Sequence, residues 1–337
     1  MSLLTSLRDH DHLVISGCGT RSMFLIGLFE YLTNQPTWEA VFEKLKGAAG
    51  VSSGCLVALT LLVGADLSQL TDALVELGKK YDSIAPSLSV PLVMESFGLD
   101  DGAHLQITVD TFLQVVGLSM STTFQSLYRL TGKDFRVCAV NVHNMKPCFF
   151  SRLTTPQMPL RDAIYMSMTV PFVFKPRRWM GELYVDGGML DNYPTNVFEG
   201  VVPLVIYMSW AVRSTPTSLR SFACAIASGS LHVQLERLAQ WKLEHPGSVH
   251  AFHDDRGEQE SISLTSDPES LLAMRKRGYV RGLMCQRDDV VKLLSLLTLA
   301  TTRAQRIAQE AQVSEDAACQ SHARDTLTTA VPDGVET

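Results

Sequence analysis

The sequence predicts an α/β fold, and three observations carry that expectation. His12-Leu13-Val14-Ile15-Ser16 is a short apolar run of strand type that breaks into the loop Gly17–Arg21. Met23, Ile26, Gly27, Phe29 and Leu32 then recur at helical spacing. The order repeats at once, with Gly47–Val51 as a second strand, a tight turn, and Ser53–Val63 as a second helix. Strand, loop, helix, strand, turn, helix is the layering of an α/β sheet.

The remaining elements follow in chain order. Gly64 stands where a helix end takes a left-handed residue. Leu67, Leu70, Leu74 and Leu77 give Asp66–Tyr81 one apolar helical face. Ala85–Leu99, interrupted by Pro86 and Pro91, is expected to be a loop or flap. His104–Val116 and Thr123–Leu130 pattern as helices, Phe135–Val142 as a strand, and Cys148–Phe150 as its hairpin partner. Leu160–Met168 reads as a helix that Pro171 closes. Leu183–Val185 and Leu204–Met208 read as short strands, Phe222–Leu243 and Ser270–Met284 as long helices. The expected organisation is an extension over 1–12, one main domain over 13–287, a helical segment over 288–312 and a disordered tail over 313–337, which is low in bulk hydrophobics.

Composition narrows the class. The chain has 337 residues, 46% hydrophobic and 19% charged, with a formal net charge of -6. A nucleic-acid partner would call for a clustered basic excess, which is absent. Cys18, Cys55, Cys138, Cys148, Cys224, Cys285 and Cys319 are scattered with no zinc or C-x-x-C spacing, so reduced thiols in the cytoplasm are expected. Arg8 to His12 occupy positions where a secretory signal needs an apolar run. Leu56–Val63 and Leu293–Ala300 fall short of the ~20 residues that cross a bilayer. Peripheral contact with a membrane stays compatible with this, and Lys175–Trp179 and Val290–Ala300 are the segments suited to it. Asp9–His12 and the stretch His250 to Asp255 lie in polar, loop-like surroundings without a closed tetrahedral set, so solvated loops are expected there rather than metal sites.

Chemistry enters at Gly50-Val51-Ser52-Ser53-Gly54, a G-x-S-x-G pattern between a strand and a helix. A serine on so sharp a turn holds its Oγ clear of the sheet, and small neighbours let the backbone bend that tightly. Upstream, Gly17-Cys18-Gly19-Thr20-Arg21 makes the corresponding turn after the first strand, where amides can form a nest for an oxyanion. A dinucleotide loop is disfavoured, because Ser22 stands where its third glycine belongs. Far downstream, Tyr184-Val185-Asp186-Gly187-Gly188 sets a carboxylate at a strand end. Brought within hydrogen-bonding reach and partly desolvated, a lone aspartate can deprotonate a serine.

These motifs, in this order, resemble the patatin-like phospholipase family. The likeness continues through Thr131-Gly132-Lys133, Ser167–Pro171 with Phe174, Asn192-Tyr193-Pro194 and Arg277-Gly278-Tyr279, so it spans about Leu13 to Cys285. The resemblance implies a three-layer α/β/α fold around a central, mostly parallel sheet. It implies a Ser–Asp dyad without histidine, an acyl-enzyme intermediate, and phospholipids or other lipid esters as substrates. Residue by residue, Ser52 is then the nucleophile, Asp186 the base, and Gly17, Cys18 and Gly19 the oxyanion loop. Arg21, Gly50, Gly54, Gly187 and Gly188 support the motifs. No metal or organic cofactor is required. Two departures stand out: Cys18 and Ser22 replace residues that are usually glycine in the family. If residue 18 needed a positive φ, its Cβ would make that conformation strained.

Two other readings remain open at this level. An α/β-hydrolase triad would recruit a late histidine such as His232 or His250, although Ser52 comes early for that chain order. A non-catalytic lipid-binding or scaffold protein could keep the same fold, and Cys18 is the feature that favours it.

Overall fold

A computed structural model describes residues 2–81, 97–209, 215, 222, 229–254 and 267–287. The expectations for 288–312 and 313–337, and most of the expected flap Ala85–Leu99, lie outside the described residues. The chain divides into a compact unit, Met1–Cys285, and a second, Gln286–Thr337. Within the first unit the described strands are β1 His12–Ile15, β2 Gly47–Val51, β3 Gly98–Asp100, β4 Asp134–Asn141, β5 Lys146–Ser151, β6 Phe172–Phe174, β7 Arg177–Trp179, β8 Glu182–Asp186, β9 Leu204–Ser209 and β10 Val249–His253.

The fold is mixed α/β around a mostly parallel central sheet of order β10-β9-β1-β2-β4-β8-β7, with β5 also on β4. Neighbours from β10 to β4 pair in parallel, and β4–β5, β4–β8 and β7–β8 are antiparallel. A parallel sheet needs cover on both faces, and strand alternation supplies it. Leu13, Ile15, Ala48, Leu204 and Ile206 face one core with helices Ser22–Thr33 and Gly54–Val63. Val14, Ala49 and Val205 face a smaller core with Val197, Phe198 and Leu238. The sheet is thus sandwiched.

One topological detail positions the site. β2 runs along one edge of β4 from Gly47 opposite Asp134 to Val51 opposite Cys138. β5 holds the other edge over Arg136–Asn141. β8 must therefore share the edge of β2, and it comes from the opposite direction, ending with Asp186 opposite Ala139. The two strands meet head-on.

Several sequence expectations are corrected. Helix Leu231–Glu244 begins after a turn at Gly229–Ser230, so Phe222–Leu243 is not one continuous helix. The apolar spacing runs on across Gly229, which stands in the turn just before the helix. Gly98 and Leu99, placed at the end of the flap, belong to β3. The stretch from His250 is no loop: His250 and His253 lie in β10, whose buried Val249 and Phe252 face the sheet's two cores. Leu3–Asp9 is a helix, with Leu3 and Leu7 buried.

Candidate active site

The nucleophile turn shows the backbone that its sequence requires. Ser52 has a φ of 51°, rare for a residue with a Cβ. Glycines on either side make the turn fit. A Cβ on Gly50 would run into the Cys55 backbone, and one on Gly54 into the carbonyl oxygens of Ile15 and Ser16. Helix Gly54–Val63 can therefore start directly against the end of β1. At its far end Gly64 takes the left-handed conformation, with φ 68°.

Asp186 lies at the end of β8 with its side chain buried. Its Oδ1 accepts the Gly188 N–H at 2.7 Å. Burial raises its pKa to about 6; hydrogen bonds from the Ser52 hydroxyl and the Gly188 amide oppose that rise. Folding thus brings Ser52 close enough to the Asp186 carboxyl to favour its ionised form.

The end of helix Leu160–Met168 and the residue that caps it brace both. Ser167 Oγ accepts the Ser52 N–H at 2.8 Å and donates to the Cys138 carbonyl at 2.5 Å. Two residues on, the Thr169 carbonyl accepts the Asp186 N–H at 2.8 Å. Nothing in local sequence spacing assigns Ser167 this task; its partner is 115 positions away.

The loop after β1 packs against the nucleophile, close enough that a Cβ on Gly17 would lie 2.8 Å from the Ser52 Cβ. Asn192 grips Gly17 at both polar atoms, accepting its N–H at 2.9 Å and donating to its carbonyl at 3.1 Å. The Gly17 amide is therefore engaged. Cys18 N–H makes only a long bond, 3.3 Å, to Ser53 Oγ, and Gly19 N–H has no acceptor among the described residues. Cys18 has φ -152°, and the left-handed position falls on Gly19 at 57°. Cysteine consequently sits at residue 18 without backbone strain. Burial pushes its thiol up to about 12, so it stays protonated at neutral pH. Arg21 is buried behind this loop.

Gly187 and Gly188 begin a short 3-10 turn under Asp186, and a Cβ on Gly187 would collide with the Cys138 carbonyl. Buried Gln234, on helix Leu231–Glu244, closes the layer beneath. Its Oε1 accepts the Asn192 N–H at 2.5 Å, and its Nε2 donates to the Gly188 and Met189 carbonyls. Sequence reading missed Gln234 altogether, because it lies on an amphipathic helix and has no motif.

The histidines considered for a triad lie elsewhere. His250 Nε2 meets Ser6 Oγ at 2.8 Å, and exposed His232 faces Glu236. Among the described residues no cluster of three or more His, Cys, Asp or Glu is arranged to hold a metal ion. The five described cysteines form no disulfide. No described helix is long and apolar enough to cross a membrane.

Comparison with known proteins adds lineage to this geometry. The family model described as patatin-like phospholipase matches residues 13–199, more than half of the chain. The probable lipid hydrolase 463L of Invertebrate iridescent virus 6 is 26% identical over 192 residues, covering 55% of this chain and 62% of that protein. The uncharacterized protein R571 of Acanthamoeba polyphaga mimivirus is 26% identical over 169 residues, covering 50% and 56% respectively. The chain thus spans less than two thirds of the length of either relative. The crystal structure of VipD from Legionella pneumophila aligns with a TM-score of 0.49 at 16% identity, over 83% of this chain and 67% of that one. Human GIVD cytosolic phospholipase A2 aligns at 0.42 and 10% identity, over 84% and 62%.

Proposed function

Because this chain belongs to the patatin-like phospholipase family, we propose that it is a serine acyl hydrolase that releases fatty acid from phospholipids or other lipid esters. The observation that carries the reading is the approach of Ser52, on its strained turn at the end of β2, to the buried Asp186 at the end of β8, one β4 position further on. The viral relative described as a probable lipid hydrolase points the same way.

Ser52 Oγ attacks the ester carbonyl while Asp186 takes its proton. The negative charge on the carbonyl oxygen develops against the loop after β1, where Cys18 and Gly19 amides are the available donors and Gly17 serves by anchoring the loop to Asn192. Each well-aimed donor lowers the barrier by about 3–4 kcal/mol. The leaving alkoxide recovers the proton from Asp186, which gives the acyl-enzyme and the free alcohol. Asp186 then deprotonates a water that attacks the acyl carbon, freeing the acid and restoring Ser52. This cycle calls on no metal or organic cofactor.

A fluorophosphonate probe is expected to label Ser52 in the full chain, and Ser52→Ala is expected to cut fatty-acid release by at least about a thousandfold. A wild-type protein that neither takes the probe nor releases more acid than Ser52→Ala would be the lipid-binding scaffold instead.

A further inference from the structure

Four exposed apolar side chains sit on backbone that residues with a Cβ rarely adopt. Phe97, Met145, Phe172 and Met180 have φ of 62°, 51°, 64° and 50°. They are 57%, 55%, 54% and 89% exposed. Among the described non-glycine residues, Ser52 alone shares a positive φ with them. Fold stability favours Asn or Gly at such positions, and leaving large apolar groups in water adds a second penalty. Backbone outliers of this kind mark sites that serve something other than folding.

The four lie toward the catalytic end of the sheet. Asn141, last in β4, pairs with Lys146 on one edge and Tyr184 on the other. The turn holding Met145 and the turn holding Met180 and Gly181 therefore both project past the carboxyl end of β4, beyond the point where β2 stops and Ser52 begins. Gly98 pairs with Phe172 in the small β3–β6 sheet, and Phe97 lines an open cavity of about 600 Å³ with Lys175, Arg178 and Leu183.

Charge completes the pattern. Lys146, Lys175 and Arg178 are exposed and meet no carboxylate within ion-pair distance among the described residues, whereas Arg177 is paired with Asp162 at 2.9 Å. Asp101 in the same cavity, Asp100 in β3 and Glu182 beside the Met180 turn are the acidic exceptions. In a chain of net charge -6, cations and bare apolar groups gather at this end.

We propose that these hairpin tips and the β3–β6 edge are where the protein lands on an anionic phospholipid bilayer, with the apolar side chains entering the interface and the cations meeting lipid phosphates. A second copy docked face to face would oppose like charges, so a bilayer is the occupant the charge favours. The purpose of landing rests on the hydrolase reading, since it presents the Ser52 end of the sheet to lipid; the binding itself does not need turnover.

The test uses the full chain carrying Ser52→Ala, sedimented with vesicles of phosphatidylcholine alone or with phosphatidylserine in equal parts. Binding is expected on the mixed vesicles and little on the neutral ones. Met145→Asn with Met180→Asn suits the left-handed backbone, so the unfolding midpoint should hold or rise while partition falls about tenfold. Lys175→Glu with Arg178→Glu should weaken it roughly thirtyfold. In the active chain both pairs should leave hydrolysis of a soluble short-chain ester within about twofold. Equal binding to both vesicles, variants that bind as the parent does, or variants that change only the oligomeric state would overturn the proposal. If the Ser52→Ala chain binds anionic vesicles and the wild type hydrolyses no ester, the landing surface stands and the hydrolase reading falls.

Discussion

Asp186 ionises against its surroundings, and the direction of that conflict can be worked through. Its folded pKa, about 6, lies above the ordinary aspartate value of 3.8. Below 3.8 both states of the protein carry the proton and the group is neutral in its effect on stability. Between the two values the folded state holds the proton more tightly, so stability falls as pH rises. Above 6 the penalty is complete, of order 2–3 kcal/mol. Asp186→Asn is therefore expected to stabilise the protein by that order well above pH 6 and by nothing at the acid end, as urea unfolding at several pH values would read. The same substitution should lower turnover by about 10²–10⁴-fold. With Asp186 as base, kcat/KM on a soluble ester should climb through about pH 6 and then level off; a profile flat across that range would remove Asp186 from the role.

Ser167 acts through its neighbours. Removing its hydroxyl leaves the Ser52 amide without its acceptor and takes one donor from the Cys138 carbonyl, a loss of about 1–3 kcal/mol. Ser167→Ala should cost that much in unfolding free energy and also slow fluorophosphonate labelling. Loss of stability with an unchanged labelling rate would make the residue purely structural.

At the scale of elements, the nucleophile turn depends on helix Gly54–Val63 starting hard against β1. Gly54→Ala drives a methyl into the Ile15 and Ser16 carbonyls, so the helix must move. A destabilisation of about 1–3 kcal/mol is expected, together with slower probe labelling, because Ser52 stands only two residues before the helix. Chemical denaturation and labelling kinetics on one preparation check both. These elements were also the legible ones. Leu13–Ile15, Phe135–Val142 and the leucine-rich helices carry long, regular apolar patterns, and Gly50, Gly54 and Gly64 mark turns by chemistry alone. β6 and β7, three residues each, give no period to detect. β10 was masked by its histidines, because polar residues on an edge strand's open side mimic a loop. The Phe222–Leu243 reading failed since helical spacing says where a helix is permitted, not where it starts.

For the whole molecule, the sequence gives Ser52 and Asp186 as candidates but not their meeting, which comes from β2 and β8 converging along one edge of β4. Pairing across such distances is a property of the sheet, and no local window contains it. The polar layer behind the site, Asn192 with Gln234 and Gly17, was hidden for the same reason. The closure by the last described helix was read only as a motif: Gly278 lets it approach the backbone of Phe24, and Arg275 pairs with Glu30.

The brace at Ser167 and Thr169 has a mechanical consequence. One segment, Ser167 to Thr169, anchors the backbone amides of both residues, so any shift of that segment acts as a common-mode signal, displacing Ser52 and Asp186 in the same sense. Their separation is thereby buffered against motions that shift their absolute position.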